Sequence, residues 1–113
     1  MSLDKAALLS PRPRRTTKVE VPELGGTVHV RALSVAEGTA LSKVMDGTED
    51  NAEICATQLA AYLADEGGNQ LLTKDEALQL MDRSGAVEIL RILKAGNEFN
   101  SLNGAAVEKA EGN

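Results

Sequence analysis

The amino-acid sequence predicts an α+β protein: an N-terminal β-hairpin followed by about four α-helices, in a single small domain with disordered ends. Three observations predict it. Apolar and polar residues alternate on both sides of Gly25-Gly26, the pattern of a strand turned back on its neighbour. Two Ser/Thr-x-x-Glu boxes, Ser34 to Glu37 and Thr73 to Glu76, each open a stretch whose apolar residues recur three and four positions apart, the spacing of a helix and its cap. The two ends lack either period, with Ser10-Pro-Arg-Pro-Arg-Arg15 near one and a Gly, Ala, Glu and Asn run from Asn103 at the other.

Residues 1–17 read as a flexible basic arm, because two prolines one residue apart block a helix and extend the residues before them. Residues 18–102 form the globular part and residues 103–113 a disordered tail, too poor in apolar side chains to order itself. In the hairpin, Val19 and Val21 alternate with Lys18 and Glu20, and Val28 and Val30 with His29 and Arg31. A turn centred on Gly25-Gly26 pairs Val21 with Val30 and Glu20 with Arg31, giving an apolar face and an opposite-charge pair. A four-residue loop, Leu24 to Thr27, keeps these pairs and turns the Pro22 nitrogen, which has no hydrogen to donate, away from the ladder.

Helices follow. Ser34 caps one from about Val35 to Met45, and the polar turn Asp46 to Asn51 caps a second from about Ala52 to Asp65, with Cys55, Leu59 and Tyr62 on one face. Glu66-Gly-Gly-Asn-Gln70 breaks that helix. Thr73 opens a short helix through about Asp82 with Leu78 and Met81 inward, and Ser84 caps the last, about Gly85 to Ser101. The expected core holds Val21, Val30, Leu59, Leu78, Leu90 and Leu93. It is thin, since sixteen of the apolar residues are alanines that each bury little area.

Composition and motif spacing exclude several kinds of chemistry. Cys55 is the only cysteine, so no disulfide framework exists within the chain. No apolar run approaches the roughly 20 residues of a membrane span, and the first residues carry no signal-peptide pattern; the reading is a soluble intracellular protein. Cys55 lies on an apolar helix face and reads as a small buried side chain, not a nucleophile, because the one histidine, His29, sits on a strand with no acid beside it in a motif. One histidine and one cysteine make no zinc site, Asp46 to Asn51 lacks the spacing of a calcium loop, and Gly25-Gly26 joins two strands without the Lys-Ser/Thr of a phosphate cradle. No catalytic, metal or cofactor residues are assigned, and nothing argues for an enzyme.

The net charge of −5 is unevenly spread, for six basic against three acidic groups leave residues 1–31 at +3 and the remainder at −8. An acidic body disfavours a phosphate backbone as partner. The alternative is a small regulatory or adaptor module that touches nucleic acid through Arg12, Arg14 and Arg15. Opposite charge on arm and body also lets copies of the chain attract one another. The last helix is apolar on two sides. Val87, Leu90 and Leu93 read as its core stripe, leaving Ile89, Ile92 and Phe99 for a partner or a second copy, unless one chain encloses all six.

The hairpin Val19-Glu-Val-Pro-Glu-Leu-Gly-Gly-Thr-Val-His-Val-Arg-Ala-Leu-Ser34, followed by Glu37 early in a helix, resembles the opening of tail assembly chaperones from long-tailed, siphovirus-type bacteriophages. Leu63-Ala-Asp-Glu-Gly-Gly-Asn-Gln-Leu-Leu-Thr73 after the middle helix and Asn97-Glu-Phe-Asn-Ser-Leu-Asn103 near the end of the last one extend the similarity over about residues 18–103. It departs at Leu24 and His29, where the family commonly has aromatics. The resemblance implies a non-enzymatic protein of the host bacterial cytoplasm, not retained in the mature virion. Many copies would coat the tape-measure protein and keep it soluble while tail-tube subunits assemble around it. It also implies a longer frameshifted form that meets the tail-tube protein.

Overall fold

The computed structural model describes residues 2–112, and the side chains of residues 2–101. In chain order the elements are α1 (Lys5–Leu9), β1 (Thr16–Val21), β2 (Gly26–Arg31), α2 (Val35–Asp46), α3 (Asn51–Tyr62), β3 (Leu63–Ala64), α4 (Lys74–Arg83) and α5 (Ala86–Gly112). The three strands form one antiparallel sheet in the order β1-β2-β3, with α5 packed on β1 and β2 and α3 packed against α2, α4 and α5. The α+β class and the hairpin-then-helices order are as the sequence predicts.

The hairpin register differs from the expected one. Val21 pairs with Gly26, Val19 with Val28 and Thr17 with Val30, a displacement of four residues from the predicted partners. The connection is a single 3-10 turn, Pro22–Leu24, closed by Gly25 at φ 81° with its N–H donating to the Pro22 carbonyl at 2.9 Å. Proline suits the first position of such a turn, where its ring sets φ and its missing N–H is not needed, and glycine takes the left-handed position that follows. The turn therefore forms around Pro22 and Gly25, with Gly26 already in β2. Because four is even, every side chain stays on its predicted face, and Val21 and Val30 are fully buried. The Glu20–Arg31 pair does not form. Glu20 faces Thr27 instead, and β1 starts at Thr16, inside the stretch read as an arm.

The third strand was not expected. The middle helix ends at Tyr62, not near Asp65; Leu63 turns extended and pairs with Val30, and Ala64 with His29. The outer edge of β2 offers these residues the hydrogen bonds that another helical turn would have supplied. The chain then reverses around Asp65, whose carboxylate accepts the Gly67 and Asn69 N–H groups at 2.9 Å each, with Gly68 at φ 84°. Those bonds hold the Asp65 carboxyl below its usual range. Both capping boxes form as predicted at Ser34/Glu37 and Thr73/Glu76.

The core joins Val21, Val30, Leu41, Leu59, Leu63, Ile89, Ile92 and Leu93. Two expectations are corrected here. Ala77 is the buried residue of α4, with Leu78 and Met81 only half-buried, and on α5 Leu93 faces inward as expected but is joined there by Ile89 and Ile92, while Val87 and Leu90 are 60% and 61% exposed. The cause is Gly96, one turn beyond Ile92. The Tyr62 ring lies so close to Gly96 that an added Cβ would clash with it, so α3 packs directly on the α5 backbone at Gly96. The stripe through Val87 and Leu90 continues as Lys94 and Glu98 and faces out. Residues 103–113, expected as a disordered tail, lie outside those whose side chains are described.

Candidate interaction surfaces

The three arginines of the N-terminal segment separate into different tasks. Arg14 forms an ion pair with Glu37, which Arg31 also approaches at 3.6 Å. Burial alone would raise the Glu37 carboxyl, but bonds from the Ser34 N–H and hydroxyl and the two nearby arginines outweigh it and hold the group below its usual value. Burial lowers the Arg31 pKa against the opposing pull of Glu37, and its Nε donates to the Ala61 carbonyl at 2.8 Å. Arg15 lies over the Phe99 ring, 5.6 Å from its centre, a cation–π contact between the start of β1 and α5. Arg12 donates to the Leu8 carbonyl, 3.2 Å away. The one-turn α1 buries no residue and leaves Leu8 and Leu9 exposed, as is Leu3 before it.

Open grooves flank α5, and two of them are the largest described. One, of about 910 Å³, runs between β1 and α5, with Val19, Val87, Leu90 and Phe99 as apolar lining and Lys18 and Lys94 among its charges. Arg91 on its helix wall is held by Glu23 through two bonds of 2.9 and 3.1 Å. The other, of about 620 Å³, lies between α2, α3 and α5. Its apolar wall is Leu33, Val35, Leu41 and Met45, with Val35 89% exposed, and Tyr62, Asn97 and Asn100 line its inner side.

A hydrogen-bond network stiffens that inner side. The Tyr62 hydroxyl donates to Asn97 Oδ1 at 2.6 Å, and burial pushes the phenol pKa up, against a smaller opposing bond with Gln58, so the ring stays a neutral donor. Asn100 accepts the Leu33 N–H at 2.8 Å and donates to the Gly96 carbonyl at 2.9 Å and the Arg31 carbonyl at 3.3 Å. One side chain thereby ties α5 to the end of β2 and the start of α2.

Of the residues singled out by sequence for partner contact, Ile89 and Ile92 are buried within the chain, so that part of the surface assignment is corrected. Phe99 is half-buried under Arg15 and lines the β1–α5 groove. The exposed apolar residues that replace them are Val87, Leu90 and Val35. Val35 carried one signal: directly after a capping serine, it lies off the apolar stripe. Cys55 is half-buried, and the buried Nδ1 of His29 has no hydrogen-bond partner. Among the described residues no three His, Cys, Asp or Glu side chains are grouped to hold a metal ion, and no helix is long and apolar enough to cross a membrane.

The fold is a small α+β domain with exposed apolar side chains laid out in open grooves along α5. The family model described as "Phage tail assembly chaperone, TAC" matches residues 2–100, and the chain belongs to that family. Membership points to a non-enzymatic role. No curated protein matches the chain. Among solved structures, the tail assembly chaperone of bacteriophage HK97 is similar at 23% identity, with a TM-score of 0.58 over 83% of this chain and 88% of that one; at that identity the likeness speaks for the fold.

Proposed function

We propose that the protein binds the tape-measure protein of its phage in the host cytoplasm, as several copies along one client, and keeps it soluble while tail-tube subunits assemble around it. A longer frameshifted form would bring the tail-tube protein, and the chaperone would leave before the virion matures. The observation that carries this reading is the α2–α3–α5 groove. Its apolar wall, exposed Val35 and adaptable Met45 suit the apolar face of a client helix, and Asn97 and Asn100 meet polar groups along its inner side. The nucleic-acid alternative is less well supported, because Arg14 and Arg15 are turned to Glu37 and Phe99 of the chain itself.

Co-expression with the tape-measure protein tests the proposal. The chaperone should move most of the client from the pellet to the supernatant, and Val35→Asp with Met45→Glu should abolish the gain without lowering the melting temperature, since both positions are exposed. A client equally soluble without the chaperone overturns it. Retention that collapses at moderate salt would point instead to contacts made by charge.

A further inference from the structure

The α2–α3–α5 groove differs from its neighbour in charge. Among the described residues no Asp, Glu, Lys or Arg lines it, in a chain where 26% of residues are charged, whereas Lys18, Glu20, Arg91, Lys94 and Glu98 line the β1–α5 groove. A charged side chain entering it would lose water and find no opposite charge in exchange. The walls are helices, whose backbone N–H and C=O groups are mostly spent on bonds within each helix. An extended segment laid there would bury its own peptide groups unpaired, while a helix closes its bonds internally and brings only side chains.

The inner side is polar in an ordered way. A tyrosine hydroxyl carries one hydrogen, and that of Tyr62 goes to Asn97 Oδ1 at 2.6 Å. Gln58, bonded to the same hydroxyl, is therefore the donor to it through Nε2. The bonds run one way, Gln58 to Tyr62 to Asn97, and leave the Gln58 Oε1 acceptor at one end and the Asn97 Nδ2 donor at the other. Neither atom has a further hydrogen-bond partner among the described residues, although Gln58 is only 8% exposed. An apolar side chain laid over these ends would cut both off from water unpaired. A carboxamide holds an acceptor and a donor on separate atoms and can serve both ends.

We infer that the groove selects a client helix by an uncharged face in which one Asn or Gln, set among apolar residues three and four positions apart, meets Gln58 and Asn97. The apolar residues on either side pack on Val35, Leu41 and Met45. Gln58 and Asn97 thus determine specificity, and Tyr62 positions them. The inference rests on the assignment of this groove to the tape-measure protein and adds which kind of segment is taken. A site built to satisfy two hydrogen bonds rejects a segment lacking them more strongly than an apolar wall rejects a misfitting methylene.

The test starts from the full chain co-expressed with the tape-measure protein. A photo-crosslinking amino acid at Met45 marks the client segment seated in the groove, which mass spectrometry of the digested adduct identifies. That segment should carry one Asn or Gln in an apolar row free of charge. Its affinity as a labelled synthetic peptide is then read by fluorescence anisotropy. Asn97→Asp keeps the acceptor for the Tyr62 hydroxyl and removes only the donor, so it should melt like the wild type yet bind the peptide about tenfold or more weakly. Replacing the marked Asn or Gln with leucine should weaken binding as much, and the two changes together should cost no more than either alone. A marked segment with no amide, or with a charge in its apolar row, overturns the inference. So does a peptide that fails to bind the wild type, Asn97→Asp at wild-type affinity, or losses that multiply as for independent sites. If no client segment is marked, or Val35→Asp with Met45→Glu leaves the client soluble, the groove is not the client's and both readings fall. If that pair releases the client while the Asn97 and peptide variants bind fully, the choice of an amide alone falls.

Discussion

The two faces of α5 are nearly equal in apolar content and opposite in fate. One, through Ile89, Ile92, Gly96 and Asn100, is enclosed by α3 and the sheet; the other, through Val87 and Leu90, faces a groove. Hydrophobicity alone does not separate them, because Leu90 is as apolar as Ile92. What separates them is the residue that carries no side chain and the one that carries an amide. Gly96 lets the Tyr62 ring lie against the helix backbone, and Asn100 satisfies the Leu33 N–H and two carbonyls where α5 crosses the end of β2. A helix face is marked as inward by what its neighbours need from it as much as by its own oiliness.

The sharpest way to break this comparison is truncation on both faces. Ile92→Ala should cost about 2 to 5 kcal/mol, by lost transfer energy and the cavity left in a thin core. It is read from urea unfolding. A loss below about 1 kcal/mol would place α5 wrongly. Gly96→Ala should cost about 1 to 3 kcal/mol, because a methyl group cannot coexist with the Tyr62 ring where it stands. The penalty should shrink when Tyr62 is replaced by leucine, and a double-mutant cycle measures that coupling. Asn100→Ala leaves the Leu33 N–H without its acceptor and should destabilise by about 1 to 3 kcal/mol, where an exposed asparagine would cost almost nothing.

Smaller effects sharpen the contrast. Glu37→Gln keeps the capping box and removes the charge between Arg14 and Arg31. Since the folded-state pKa of Glu37 is depressed, its contribution is full above the unfolded value of about 4.3 and is lost as pH falls through the folded value. Wild type should therefore exceed the variant in stability near neutral pH and converge with it in acid, as urea midpoints at several pH values would show. The smallest effect belongs to the outward face. Leu90→Ala should change stability by no more than about 0.5 kcal/mol in the same urea titrations.

Local chemistry was legible from the residues alone. Ser34/Glu37 and Thr73/Glu76 announce their helices because a cap is a contract between residues three apart, and the alternation of Val19, Val21, Val28 and Val30 survives a four-residue change of register because side-chain direction repeats every two. The grooves were less legible: Phe99 was singled out and does line one, whereas Ile89 and Ile92 were placed on the wrong side and Val35 was passed over. Tertiary structure decided the rest. The hairpin turn settled on Pro22 and Gly25 through backbone geometry that two adjacent glycines obscure, and Leu63 and Ala64 became a strand only because β2 had an edge to share. By itself the sequence determined the kinds of element and their order, since these rest on neighbours within about four positions. Which face of α5 is covered depends on Tyr62 meeting Gly96 and on Asn100 meeting Leu33, contacts 34 and 67 residues apart in the chain, and a periodicity of 3.6 holds no information at that range.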